Sequence, residues 1–462
     1  MEDSKYFLII LFFASFIAIS STTSISFTES GEGYTVSDNI VTITGSGPFD
    51  LTGSQTNAKI IVSSSCTLNL DAFSIINIGQ LTPLIISENK EVELVLTGES
   101  SFMDSNSNEN DGTIYLQAGA SLKIKGEGTL NIVPNKYMAI NGTDDTSLVV
   151  NDNAHIAIYS ESATIGGIYL KKEIIFNNAQ YTYSCENGAH HAIDSEGPIK
   201  LIKGIFIIKS GNGKGIQSEK YLQIGEEGGD NEDLILSITS NNKGIESMGI
   251  TIYSGIIEIT SGQDGINAAS SGNECDESIQ CSGNCECYIK IYDGLLQIQS
   301  EEDGLDSNGD ITITGGQIII FAASQGADQP IDQDGLLSIT GGAIIAAGSN
   351  SMGVKAETTQ VQKIYKGTIS EGTQLKILDE YGSEIFEDKT PKEANYIYFN
   401  YKSSFTVELN NAEITLTDQE NNNPDRPGDM GGKRPGEKNE ENYSSRYFLR
   451  VFNIMLIIGI IL

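Results

Sequence analysis

Asp303-Gly-Leu-Asp-Ser-Asn-Gly-Asp-Ile-Thr-Ile-Thr-Gly-Gly-Gln-Ile-Ile-Ile320 contains the pattern that decides the fold. A glycine, an aliphatic residue, an acid and a serine come first; a short alternating strand, a Gly-Gly turn and a second isoleucine-rich strand follow. The opening phrase recurs at Ala192-Ile-Asp-Ser195, Gly215-Ile-Gln-Ser218, Gly244-Ile-Glu-Ser247, Gly265-Ile-Asn-Ala268 and Pro330-Ile-Asp-Gln333. Its aliphatic residues are 23, 29, 21, 39 and 26 positions apart, and the long steps carry insertions at Gly225 to Asp233 and at a cysteine loop. Without those insertions the period is about 21 to 23 residues, the length of one solenoid repeat that buries its apolar face only against its neighbours. A leucine-rich repeat has a similar period but needs a leucine-dense consensus that is absent. A β-sandwich would not return the same tetrapeptide at the same point of each turn. The sequence therefore predicts an all-β chain, a single-stranded parallel β-helix with three strands per coil. Weaker coils upstream, from Ile60 to Leu70 through Leu148 to Ile158, extend it over residues 40–348. Residues 363–416 lose the period and read as a small C-terminal antiparallel β module with hairpins near Asp379 to Gly382 and Tyr396 to Tyr401. Such a module is expected because the open end of a solenoid invites strand addition.

Composition agrees. Of 462 residues, 49 are glycine, 9 proline and none tryptophan, as in many short strands joined by turns. The 28 basic residues are outnumbered by 62 acidic ones, for a net charge of -34, which excludes nucleic acid as a natural partner and favours a bound cation. The three histidines lack metal-ligand spacing, and phosphate-loop, serine-elbow and dinucleotide-binding patterns are absent.

Both ends read as processing segments. Residues 1–20 form a signal peptide with an apolar block from Tyr6 to Ile19. Residues 418–446 are polar, charged and proline-containing, the composition of a disordered stalk. The hydrophobic tail 447–462 has 16 residues, about 24 Å as a helix against the ~30 Å hydrocarbon core, so a GPI signal is favoured over a spanning helix. Either places the protein at the extracellular face of the cell surface, anchored to the membrane. In that compartment Cys275, Cys281, Cys285 and Cys287 read as two local disulfides, since their spacing matches no common zinc pattern. Cys66 and Cys185 are free or bridged. Asn141-Gly-Thr143 is a glycosylation sequon, and Asn442-Tyr-Ser444 is a second.

The run from Asp303 to Gly316, with Asp334-Gly-Leu-Leu-Ser-Ile-Thr-Gly-Gly342 and Ala346-Ala-Gly-Ser-Asn-Ser-Met352, resembles the secreted clostridial-type carbohydrate-binding β-helix family, whose namesake binds cellulose and pectic polymers. The similarity covers roughly Lys59 to Leu416. It implies a parallel β-helix with bound calcium, related in architecture to lyases that act on pectate. The cysteine loop, the insertion at Gly225 to Asp233 and the anchored tail depart from that pattern.

Adjacent coils stack at about 4.8 Å, so equivalent positions form columns. The residue after each inward aliphatic gives Asp194, Gln217, Glu246, Asn267, Asp306 and Asp332. The residue before each glycine gives Lys214, Lys243, Asp264, Asp303 and, less tightly aligned, Asp328. Two carboxylates at that spacing repel by about 3.5 kcal/mol at an effective dielectric of 20, which hydration, protonation or a bridging cation must offset. Hard oxygen ligands without His or Cys favour Ca2+. The metal ligands expected are Asp264, Asn267, Asp303 and Asp306, with Asp332 and Asp334 as a neighbouring site. The other reading of these residues is solvated turn positions, since Asp and Asn tolerate tight turns. Tyr221, Tyr253, Tyr288 and Tyr292 are candidates for an outward aromatic row.

These features point to calcium-dependent binding of extracellular polysaccharide, acidic and pectin-like or cellulosic, with metal bridging protein and sugar carboxylates. A polysaccharide lyase on the same scaffold is the alternative: calcium would neutralise the uronate while Lys243 removed the adjacent ring proton. A non-enzymatic adhesin or coat protein is the third reading.

Overall fold

A computed structural model describes residues 26–29, 33–104, 112–135, 137–162, 164–269, 287–349, 351 and 353–419. The expected signal peptide, Cys275, Cys281, Cys285, the second sequon, the hydrophobic tail and all but the first two residues of the expected stalk lie outside them. The chain divides into two compact units, Met1–Gly262 and Gln263–Leu462. Both are built of parallel strands, the second with an added antiparallel sheet. The fold is the parallel β-helix with a small antiparallel module that the repeat predicts.

In the first unit one inward column runs Val41, Ile60, Leu84, Ile114, Ile140, Ile168, Ile193, Ile216 and Ile245, each in register with the next. All are 1% exposed or less. In the second unit Ile266, Leu305 and Ile331 continue the same phrase, paired and buried alike. Period-2 alternation sends these residues inward and their successors outward, which is why a single phrase specifies both a core and a surface column.

The rest of the phrase is equally physical. A Cβ on Gly304 would stand 2.2 Å from Ile320 Cγ2 and 2.5 Å from the Pro330 carbonyl oxygen, and one on Gly265 would stand 2.4 Å from Ile298 Cγ2. Coil stacking leaves no room there. The closing serine points inward and turns the corner. Ser195 Oγ accepts from the Gly197 N–H at 3.1 Å, Ser218 Oγ from Lys220 N–H at 3.1 Å and Ser307 Oγ from Gly309 N–H at 3.1 Å. Such short serine turns satisfy the backbone where one strand ends and the next begins.

The first unit opens with Ser26–Glu29 antiparallel to Phe49–Thr56, and with the hairpin Tyr34–Ser37 to Ile40–Ile43. Its turn residues Asp38 and Asn39 take φ of 51° and 62°, the conformation that two-residue hairpin turns require. In the second unit, Ala394–Tyr401 pairs antiparallel with Ala343–Gly348 and with Val361–Ile369. The exposed edge of that coil is thereby covered. A four-stranded sheet, Glu384–Lys389, Gln374–Asp379, Phe405–Leu409 and Ala412–Glu413, supplies Ile377 and Phe405 to a pocket also lined by Ile345. Asp418, the first residue of the expected stalk, still pairs with Lys363.

Candidate functional site

In the second unit, strands Ile266–Ala268 and Leu305–Ser307 lie in register, so Asn267 stands beside Asp306, and Asp306 beside Asp332. The Gly265 N–H bonds the Asp303 carbonyl, which stacks Asp264 and Asp303 one position earlier. One carboxylate oxygen from each of Asp264, Asp303 and Asp306 lies within 4.8 Å of the others. Among the described residues this is the one cluster of three such groups that could hold a metal ion.

Asn267, only 3% exposed, stands among these acids. Its amide nitrogen donates to Asp264 Oδ2 at 3.0 Å and to Asp306 Oδ2 at 2.9 Å, linking carboxylates that otherwise repel. Its Oδ1 is buried without a hydrogen-bond partner among the described residues, a costly state for an acceptor. A half-turn of the amide would put that oxygen against the carboxylates, an arrangement that only a cation makes favourable. Asp264 Oδ1 accepts from the Asp303 N–H at 3.1 Å, and Asp303 accepts from the Gln329 N–H. Burial, opposed by the Gln329 hydrogen bond and reinforced by Asp264, Asp332 and Asp328, pushes the Asp303 carboxyl up to about 7. The three carboxylates offer hard oxygen donors that could hold a metal ion.

The structure thus brings together Asp264, Asn267, Asp303 and Asp306. Asp332 continues the column one coil on, while Asp334 is exposed in the following turn, its N–H on the Ser307 carbonyl. The position that follows Asp303 in its own column is occupied by Gln329 rather than Asp328, because the Gly304 N–H bonds the Gln329 carbonyl.

In the first unit the position before the glycine holds Lys214 and Lys243, and the position after the aliphatic holds Gln217 and Glu246. Lys214 Nζ donates to Gln217 Oε1 at 2.7 Å and to Glu246 Oε1, and Lys243 Nζ lies 3.3 Å from Glu246 Oε2. Lys243, the base of the lyase reading, is therefore an ammonium engaged with a carboxylate, a contact it must leave before it could take a proton. Nearby, burial and Glu219 raise the Asp194 carboxyl to about 7. Burial and Lys214 lower the His191 imidazole to about 4, while its Nδ1 accepts from the Lys214 N–H at 2.9 Å.

That neutral histidine sets a pH dependence. Its unfolded value is 6.5 and its folded value about 4, so its stabilisation is complete above 6.5 and is lost as pH falls through 4. Integrated, this comes to at most about 3 kcal/mol. In urea titrations between pH 7 and 4, His191→Asn, which keeps an acceptor that does not titrate, is expected to lose less stability than the parent. Parallel curves would refute the assignment.

The aromatic row is not a single column. Tyr221 registers with Gly249, not with Tyr253. Tyr221 and Tyr292 are 44% and 45% exposed, and Tyr288 lies under Lys290, whose Nζ is 4.2 Å from the ring centroid. A different aligned set escaped the sequence reading. Tyr115, Asn141 and Tyr169 stand in register on three consecutive coils, followed by Asp194, Gln217 and Glu246. Repetition of Ile-Tyr-Leu at Ile114 to Leu116 and Ile168 to Leu170 was the available signal. The sequon residue Asn141 lies between the two tyrosines.

Cys66 and Cys185 are buried free thiols, and burial raises both, Cys66 to about 11, which makes them poor nucleophiles. Cys287 is buried at the start of strand Tyr288–Ile291.

Among curated proteins and among solved structures, no match to the chain was found. A family model described as carbohydrate-binding domain-containing protein matches residues 37–230 and 232–378. That match spans nearly every coil just described together with the start of the added sheet. A tryptophan-free β-helix with an oxygen-lined acidic cluster and a polar outer column thus belongs to the carbohydrate-binding domain-containing protein family.

Proposed function

We propose that this carbohydrate-binding protein captures acidic polysaccharide through calcium held by Asp264, Asn267, Asp303 and Asp306. The observation that carries this reading is the convergence of the Asp264, Asp303 and Asp306 carboxylates around the buried Asn267 amide, whose Oδ1 has no hydrogen-bond partner among the described residues. Calcium bound there would offset the charge of its carboxylate ligands on a protein of net charge -34, and a uronate carboxylate is a sugar group that could complete its oxygen coordination. Asp332 and Asp334 would supply a neighbouring acidic position. Membership of a carbohydrate-binding family supports a role in binding without catalysis.

The setting proposed is the outer face of a membrane. In that setting residues 1–20 would export the chain, residues 447–462 would retain it, Cys275, Cys281, Cys285 and Cys287 would pair as disulfides, and the sequon at Asn141 would be open to glycosylation.

Calorimetric titration of the protein with polygalacturonate tests the function, first in calcium and then in chelator, with ultraviolet absorbance followed for unsaturated uronate. Calcium-dependent heat without new absorbance is expected. Rising absorbance would establish the lyase reading instead, and an absence of heat in both buffers would leave the adhesin or coat protein.

A further inference from the structure

The repeat phrase stacks two polar columns in each unit, and each unit answers their charge differently. In the first, Lys214 Nζ donates to Gln217 Oε1 at 2.7 Å and to Glu246, and Lys243 Nζ lies 3.3 Å from the same carboxylate. Ammonium groups are thus fixed beside the acid. In the second, the corresponding positions are Asp264, Asp303 and Gln329 in one column and Asn267, Asp306 and Asp332 in the other, with no lysine among them. What stands in for a cation there is one neutral amide: Asn267 Nδ2 donates to Asp264 Oδ2 at 3.0 Å and to Asp306 Oδ2 at 2.9 Å.

That bridge uses both hydrogens of the nitrogen and leaves the amide oxygen buried with no partner among the described residues. Asn267 is 3% exposed and Asp264 5%, so water does little to relieve either group. Rotation by half a turn about the Cβ–Cγ bond exchanges Oδ1 and Nδ2 without changing the space filled, because the two ends of an amide are nearly the same size. In one orientation the side chain gives hydrogens to two carboxylates. In the other it adds an oxygen to theirs, an arrangement that repels unless a cation lies between them.

We propose that Asn267 is a two-position switch in the cation site: its nitrogen links Asp264 and Asp306 across neighbouring coils when metal is absent, and its oxygen becomes a ligand when a divalent cation enters. The inference rests on the calcium reading above and adds how the same coils hold together without metal. Asn267→Lys would neutralise the acids permanently and keep metal out, the arrangement found at Glu246. Asn267→Asp would bind metal more tightly but leave the metal-free coils repelling one another. The amide makes uptake and release of the cation compatible with one fold.

The test uses the full chain with calcium chloride as the only ligand, titrated calorimetrically and followed by proton–nitrogen NMR spectra. The pair of side-chain amide signals lost in both Asn267→Asp and Asn267→Ala belongs to Asn267. In chelator that pair is expected downfield, as for hydrogens donated to carboxylates, and it moves upfield in step with the calorimetric isotherm as calcium is added. Asn267→Asp is expected to bind calcium roughly tenfold more tightly and to melt below the parent in chelator, a deficit that saturating calcium removes. Asn267→Ala lacks both donor and ligand, so it should melt lower in chelator and bind calcium roughly 10- to 100-fold more weakly. A purely structural asparagine would lower the melting temperature with and without calcium and leave the amide signals where they are. The switch is overturned if those signals ignore calcium, if Asn267→Asp binds calcium no more tightly than the parent, or if calcium fails to restore its melting temperature. Those outcomes leave the calcium site standing, whereas an absence of calcium heat in the parent overturns the site and the switch together. Where one variant does not fold in chelator, the other still assigns the amide signals and the parent's spectra decide.

Discussion

Replacing Asp303 and Asp306 together by asparagine is expected to weaken calcium binding at least ~100-fold, since losing even an outer-shell partner commonly costs a metal site 10- to 100-fold. The two side chains come from one strand and its preceding turn, and their oxygens converge with Asp264 inside a 4.8 Å cluster. Asparagine keeps the shape and the hydrogen-bonding capacity but removes two charges, so the variant isolates electrostatics from packing. Two readouts are needed. In calcium at about 100 times its dissociation constant the parent gains about 2.7 kcal/mol of stability by linkage, seen as a raised melting temperature that the variant lacks. In chelator the variant is expected to melt no lower than the parent, because each carboxylate pair relieved at this spacing removes about 3.5 kcal/mol of repulsion before solvent relaxation. Retention of the calcium-induced rise in melting temperature would refute the assignment. A variant that melts far lower in chelator would show instead that these acids are structural.

Phe176→Ala is expected to destabilise the protein by about 3–5 kcal/mol, a large share of the roughly 5–15 kcal/mol typical of a folded domain. Phe176 is fully buried inside the first unit, in register with Val150 on one side and Leu201 on the other. Its ring lies 5.5 Å from both Phe206, edge-on, and Tyr181, tilted. A solenoid concentrates the loss, because each coil buries its face only against its two neighbours and cannot recruit a distant core to refill the cavity. Urea unfolding is the measurement. The midpoint should fall while the slope is retained, and a midpoint shift worth less than about 1 kcal/mol would mean that the coils collapse around the gap.

The fold was legible because a single phrase carries four physical instructions. Glycine fits where stacked coils leave no space for a Cβ; isoleucine fills the interior; a polar residue faces out; serine turns the corner. Gly304, Leu305, Asp306 and Ser307 meet each instruction in turn. The same regularity placed Asn267, Asp306 and Asp332 in one column from sequence alone. It failed where turns vary in length. Asp328 appeared to follow Asp303, but Gln329 takes that position, and Tyr221 lies beside Gly249 rather than with Tyr253. Counting residues cannot locate a column when each coil closes through turns of different size.

Sequence by itself determined the β-helix, the inward aliphatic ladder and the outward acids, since these depend on a period of two within strands and a recurrent phrase between them. Only the tertiary structure decided that Asn267 is buried with an orphaned oxygen, that Lys214 and Lys243 share Glu246, and that Tyr115, Asn141 and Tyr169 are neighbours. The reason is that burial, ion pairing across coils and register are set mostly by distances between residues on neighbouring coils, such as Lys214 and Glu246 or Tyr115 and Asn141, which depend on how every intervening turn closes.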